Sequence, residues 1–134
     1  MTERRIRIAS AVLAVAGAIV AAYLLSVRWT DTTLACATGG CETVQSSRYA
    51  EVFGVPVAAL GVGGYLALLA ASLGRGEAAR VAGATLALGA AAFGGYLLYV
   101  QVEVIGAVCD WCLASDGLTT GLAVLALLRL KTTA

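Results

Sequence analysis

Four apolar runs decide what this chain can fold into. Residues 8–27 give 20 positions without a charge, and residues 55–73 give 19 more. Residues 81–102 add 22, with Thr85 and Gln101 as their polar members, and residues 109–128 add 20, interrupted by Asp110 and Asp116. At 1.5 Å per residue, about 20 helical residues cross a hydrocarbon core of about 30 Å. Lipid offers no hydrogen bonds, so a spanning segment satisfies its backbone internally, as a helix. Only 13% of the residues are charged, against about 25% in soluble domains. The pattern predicts an all-α integral membrane bundle of four transmembrane helices in a single domain over 1–134, with an outer loop at 28–54. A cleaved signal peptide is the competing reading of the first run, behind "RRIR". That run exceeds the usual apolar region of such a peptide, and no persuasive cleavage site follows it.

Seven of the nine basic residues fall on one side of a four-span arrangement: Arg4, Arg5, Arg7, Arg75, Arg80, Arg129 and Lys131. Arg28 and Arg48 lie on the other. The positive-inside rule then predicts a cell-membrane protein with both termini in the cytoplasm. A net charge of +1 gives no basic face for nucleic acid. The absence of His excludes Ser-His-Asp and Cys-His catalysis and every His-containing metal site.

The orientation, assigned from Arg and Lys alone, puts all four cysteines on the outer side. Cys36 and Cys41 bracket "ATGG" in the long loop, where two glycines leave the chain pliable enough for a small disulfide to open and close. Cys109 and Cys112 open the fourth run as "CDWC". Three residues apart at a helix start, they share a face, and the helix dipole favours the thiolate. Disulfides persist outside the cytosol, so thiol–disulfide exchange is the leading reading. Two others compete with it. A structural zinc site with four cysteine ligands suits the spacing but not the outer side, and no metal is expected. Static disulfide staples would leave a Cys-x-x-Cys at a helix start unexplained. A non-catalytic membrane subunit with a disulfide-held docking loop stands as the alternative of a different class.

The stretches "CATGGCETVQSSRYAEVFGVP", "GVGGY" in the second run and "CDWC" at the head of the fourth resemble the vitamin K epoxide reductase family, most closely its bacterial members. The resemblance covers nearly the whole chain. It implies a four-helix bundle around a quinone, menaquinone or ubiquinone, with a short surface helix in the outer loop near residues 44–52. It also implies an electron relay from an extracytoplasmic thioredoxin-fold partner to the quinone pool, serving disulfide-bond formation. By position, Cys36 meets the partner, Cys41 exchanges with Cys109, and Cys112 faces the quinone, while Ser47 matches the loop serine that organises the site. Some relatives carry a fused thioredoxin-like domain; none is present in these residues, so the partner is expected in trans.

Vertebrate members place an Asn in the second helix and a Tyr four residues past the last cysteine. Here those positions hold Val57 and Asp116, which favours a respiratory quinone over vitamin K epoxide as substrate. Asp116 is the sharpest single feature, because a carboxylate at mid-membrane costs roughly 2.5–3.5 kcal/mol on insertion scales. It is expected to face a cavity or a partner, on the same face as Cys112; the competing reading is a water-solvated acid near the outer third of the helix, incidental to function. Trp111, Tyr65, Phe93 and Tyr96 are candidate quinone-pocket walls, each also readable as packing or as an interfacial anchor. Gly61, Gly63, Gly64, Gly94 and Gly95 read as close-approach positions between helices, and Glu103 and Asp110 as outer-edge acids facing water.

Overall fold

A computed structural model describes residues 2–30, 51–52, 54–106 and 110–133. Its described residues form an all-α membrane bundle of four helices: α1 (Glu3–Thr30), α2 (Val57–Leu73), α3 (Glu77–Tyr99) and α4 (Asp110–Thr133). α1, α4 and α3 with its continuation are each long and apolar enough to cross a bilayer. α2 is shorter, with 17 residues, or about 25 Å of helix. The pairs α1–α2, α2–α3, α3–α4 and α4–α1 are in contact, so the helices form a ring in chain order. α2 and α3 are the most loosely packed of these neighbours.

The apolar runs locate the helices, and local chemistry moves their ends. α1 begins five residues before its run, because Thr2 caps it: the Arg5 N–H donates to Thr2 Oγ1 at 3.4 Å. The second run does not start as helix at residue 55. Val55–Pro56 (β2) instead pairs antiparallel with Glu51–Val52 (β1), with Pro56 opposite Glu51. Gly54, at φ +82°, makes the turn between them. Pro56 therefore stands just before α2 rather than in its first turn. Of the surface helix expected near 44–52, only Glu51 and Val52 are described, and they are strand. α3 continues past residue 102 as a wider π-helical turn, Val100–Ile105, which buries Val100 and Gln101. Gly106, left-handed at φ 75°, ends it, its N–H donating to the Gln101 carbonyl at 2.9 Å.

One end of the bundle is held by arginines. A helix leaves its last four carbonyls without intrahelical donors, and α2 has no basic residue in its own last turn. Arg7 of α1 donates to the carbonyls of Ser72 (3.0 Å) and Leu73 (2.7 Å). Arg129 of α4 donates to those of Ala71 (2.9 Å) and Gly74 (2.7 Å). Arg129 is buried and also meets Glu3 at 3.4 Å. Four successive carbonyls are thus satisfied by guanidinium groups from two other helices, where positive charge also suits the negative end of the helix dipole. The bundle centre holds Ala14, Ala21, Tyr65, Leu68, Ala87, Leu122 and Ala123. At the opposite end, Leu24 packs with Tyr23, Ala58, Ile105, Trp111 and Cys112.

Arg129→Gln should lower stability by about 2 kcal/mol, since charge-assisted bonds to buried carbonyls are lost. Thermal unfolding in detergent micelles reads this as a reduced Tm, whereas Lys131→Gln on the exposed face of the same helix should leave Tm unchanged.

Candidate functional site

Tyr65 is the residue around which the site is built. It is 3% exposed, and its hydroxyl crosses from α2 to α4. It donates to the Ser115 carbonyl at 3.0 Å and shares a second hydrogen bond with Ser115 Oγ at 2.7 Å. Its ring lies on Gly17 of α1, where a β-carbon would overlap the ring atoms. Gly17 therefore lets α1 close over the ring, and Ser115 fixes the phenol. Gly61 serves the same interface, since a β-carbon there would come within 3.2 Å of Ala21 Cβ.

A cavity of about 200 Å³ lies beside Tyr65, between α2, α3 and α4. Leu60, Leu68, Ala90, Phe93 and Leu97 give it apolar walls, and Gly61, Gly64 and Gly94 give it width. Its polar lining comes from Tyr65, Ser115, Asp116 and Thr119, all within or facing one turn of α4. Asp116 occupies space that Gly94 leaves open: a β-carbon on Gly94 would sit 2.6 Å from Asp116 Oδ1. Thr119 and Thr120 bond to the Asp116 backbone carbonyl, at 2.9 and 2.8 Å, and leave its carboxyl alone. Asp116 Oδ2 is buried without a hydrogen-bond partner among the described residues. A buried carboxyl oxygen with no donor is a costly arrangement in a membrane interior, and it marks a place where a polar group of a ligand fits.

Of the residues singled out in the sequence, Asp116, Tyr65 and Phe93 line this cavity, as does Val57. Tyr96 is exposed on the outer face, with its ring 6.2 Å from that of Phe93. Trp111 does not line the cavity; its ring packs on Tyr23, with centroids 4.9 Å apart. Cys112 lies in the same outer cluster, four residues before Asp116, about 6 Å along the helix axis. Glu103 is exposed, whereas Asp110 is half-buried. Cys36, Cys41, Ser47 and Cys109 lie outside the described residues. The helix ends that flank the loop, Thr30 and Val57, belong to the end of the bundle that carries Cys112. Among the described residues no cluster of acidic, Cys or His side chains is suited to a metal.

The glycines divide in a way their spacing hides. A β-carbon placed on Gly63, Gly64 or Gly95 would meet nothing within 4 Å among the described residues, so the close-approach reading fails there. Gly17 is not distinguishable in sequence from the other small residues of α1, and Ser115 carries no local signal of its bond to Tyr65, 50 residues away.

The family model for the vitamin K epoxide reductase family matches residues 8–127. The chain belongs to that family, and with it to the membrane oxidoreductases.

Gly94→Ala should destabilise the bundle by about 1–3 kcal/mol, the usual cost of overpacking, by driving the new methyl into the Asp116 carboxyl. In an Asp116→Ala background the same change should be neutral or stabilising. A double-mutant cycle on unfolding free energies measures that coupling.

Proposed function

We propose that this membrane oxidoreductase of the vitamin K epoxide reductase family reoxidises a thioredoxin-fold partner and delivers the electrons to a quinone. The overall reaction takes a partner dithiol and a quinone to a partner disulfide and a hydroquinone. A partner thiolate attacks the Cys36–Cys41 disulfide, and the partner's second thiol resolves the mixed disulfide, leaving Cys36 and Cys41 reduced. Cys41 then attacks Cys109, releasing Cys112 as a thiolate, and Cys36 resolves the bond between Cys41 and Cys109 to restore the outer disulfide. Two electrons and two protons now reside on Cys109 and Cys112, which re-form their disulfide as these are passed on. The bound quinone supplies the two-electron, two-proton acceptor.

The observation that carries the acceptor end of this reading is the cavity one turn below Cys112, with an unpartnered carboxyl oxygen inside otherwise apolar walls. Gly61 and Gly64 leave room there for a flat ring, and Tyr65, held by Ser115, gives the cavity a fixed wall. In this reading Asp116 holds a proton at Oδ2 and hydrogen-bonds a carbonyl or hydroxyl oxygen of the ring, which its unpartnered Oδ2 supports. The loose α2–α3 packing, with Leu60 and Phe93 exposed at the gap, suits entry of a lipid-soluble molecule from the bilayer. We place the protein in the cell membrane with both termini cytoplasmic and the cysteines extracytoplasmic, as the distribution of Arg and Lys indicates.

Purified protein mixed with a reduced thioredoxin-fold protein and a soluble quinone should produce hydroquinone, followed by absorbance. Cys112→Ser should reduce turnover at least about a thousandfold, the scale on which losing a catalytic nucleophile acts. Wild-type turnover in that variant contradicts the relay. Gly64→Leu should retain the wild-type Tm, because its β-carbon meets open space, yet lose turnover by filling the cavity. Unchanged turnover in Gly64→Leu assigns the quinone to a different place.

A further inference from the structure

A second cavity lies at the other end of the bundle from the cysteines and takes no part in the redox reading. It has a volume of about 590 Å³ between the start of α1 and the α2–α3 turn. Four arginines line it: Arg4 and Arg7 from α1, and Arg75 and Arg80 from the turn and the start of α3. Glu3 is the one acid in the described lining, and Arg129 already engages it at 3.4 Å. Arg7 is committed to the α2 carbonyls. The side chains of Arg4, Arg75 and Arg80 are taken up by no carboxylate or carbonyl among the described residues. Gly76, at φ +97°, turns the chain into α3 and also lines the cavity.

The rest of the lining is largely aliphatic. Ile8, Val12 and Leu73 line the cavity and are 55%, 61% and 62% exposed. Ile8 and Val12 follow Arg4 at intervals of four, so one stripe of α1 runs from a guanidinium into the apolar part of the bundle. A soluble phosphate would satisfy the arginines but make no use of this wall. We propose that the groove binds an anionic phospholipid, its phosphate among Arg4, Arg75 and Arg80 and its acyl chains along Ile8 and Val12. Unpaired arginines exceed acids here, so the charge balance selects a net-anionic lipid over a zwitterionic one. The site is independent of the thiol chemistry and of which end of the bundle faces the cytoplasm.

The test uses the full chain in a mild non-ionic detergent. Phosphatidylglycerol, phosphatidylcholine and inorganic phosphate are added separately, and Tm is followed. Phosphatidylglycerol should raise Tm, and the other two should not. The combined variant Arg4→Gln/Arg75→Gln/Arg80→Gln keeps Arg7 and Arg129 and so keeps the α2 clamp. It should fold with near wild-type Tm and need about fivefold more phosphatidylglycerol for each arginine removed. Equal stabilisation by both lipids, an undiminished response in the variant, or a response to phosphate alone would each overturn the proposal. A readout on the wild type alone guards against a variant that fails to fold. Native mass spectrometry after exposure to an equal mixture of the two lipids should retain phosphatidylglycerol preferentially, and equal retention counts against the site.

Discussion

A bilayer supplies no hydrogen bonds to an exposed backbone, and α2 is the helix for which that constraint is hardest to meet. Its 17 residues are at the short end of what spans a hydrocarbon core, and its last carbonyls have no donor in their own helix. The solution is the pair of guanidinium groups, Arg7 and Arg129, that take up the carbonyls of Ala71, Ser72, Leu73 and Gly74. Because these arginines belong to α1 and α4, the bonds fix the axial positions of three helices at once. Tyr65, two turns back along α2, is thereby set over Gly17 of α1 and against Ser115 of α4. The cavity wall is a consequence of how the far end of the helix is terminated.

The cavity combines two features that each oppose stability. Gly64 leaves open space that a side chain could fill, and Asp116 keeps a buried carboxyl oxygen without a donor among the described residues. A bundle selected only for stability would fill the space and remove the acid. Their coincidence one turn from the Cys-x-x-Cys position is what the proposed redox reaction rests on. In the proposed reaction, thiol exchange near that end of the bundle would sit beside an apolar cavity able to take a lipid-soluble acceptor.

Much of this architecture is legible in the sequence, for physical reasons. Apolar length fixes a helix in lipid almost regardless of detail, so four runs become four helices. The ends are less legible, because they depend on Thr2, on the Gly54 turn and on the π-helical turn at Val100–Ile105, which composition does not encode. Asp116 announces itself because a charge in an apolar run has few explanations. Its accommodation by Gly94 does not, since glycine in a membrane helix reads equally as close packing. The aromatics divide on the same grounds: Tyr65 and Phe93 line the cavity, while Trp111 packs on Tyr23 and Tyr96 faces outward. Only their neighbours on other helices distinguish these cases. Arg7 and Arg129 read in the sequence as topological charges, and their work as caps emerges only when α2 is placed between them.

The central claim is that two electrons leave the cysteine pair at the head of α4 for a quinone. The most direct measurement is a single turnover without oxygen or partner. Fully reduced protein is mixed with quinone, hydroquinone is quantified, and the disulfides formed are mapped by mass spectrometry. The account predicts one hydroquinone for each disulfide formed, with the Cys109–Cys112 bond appearing first. Hydroquinone formed while that pair remains reduced, or no hydroquinone at all, would contradict it.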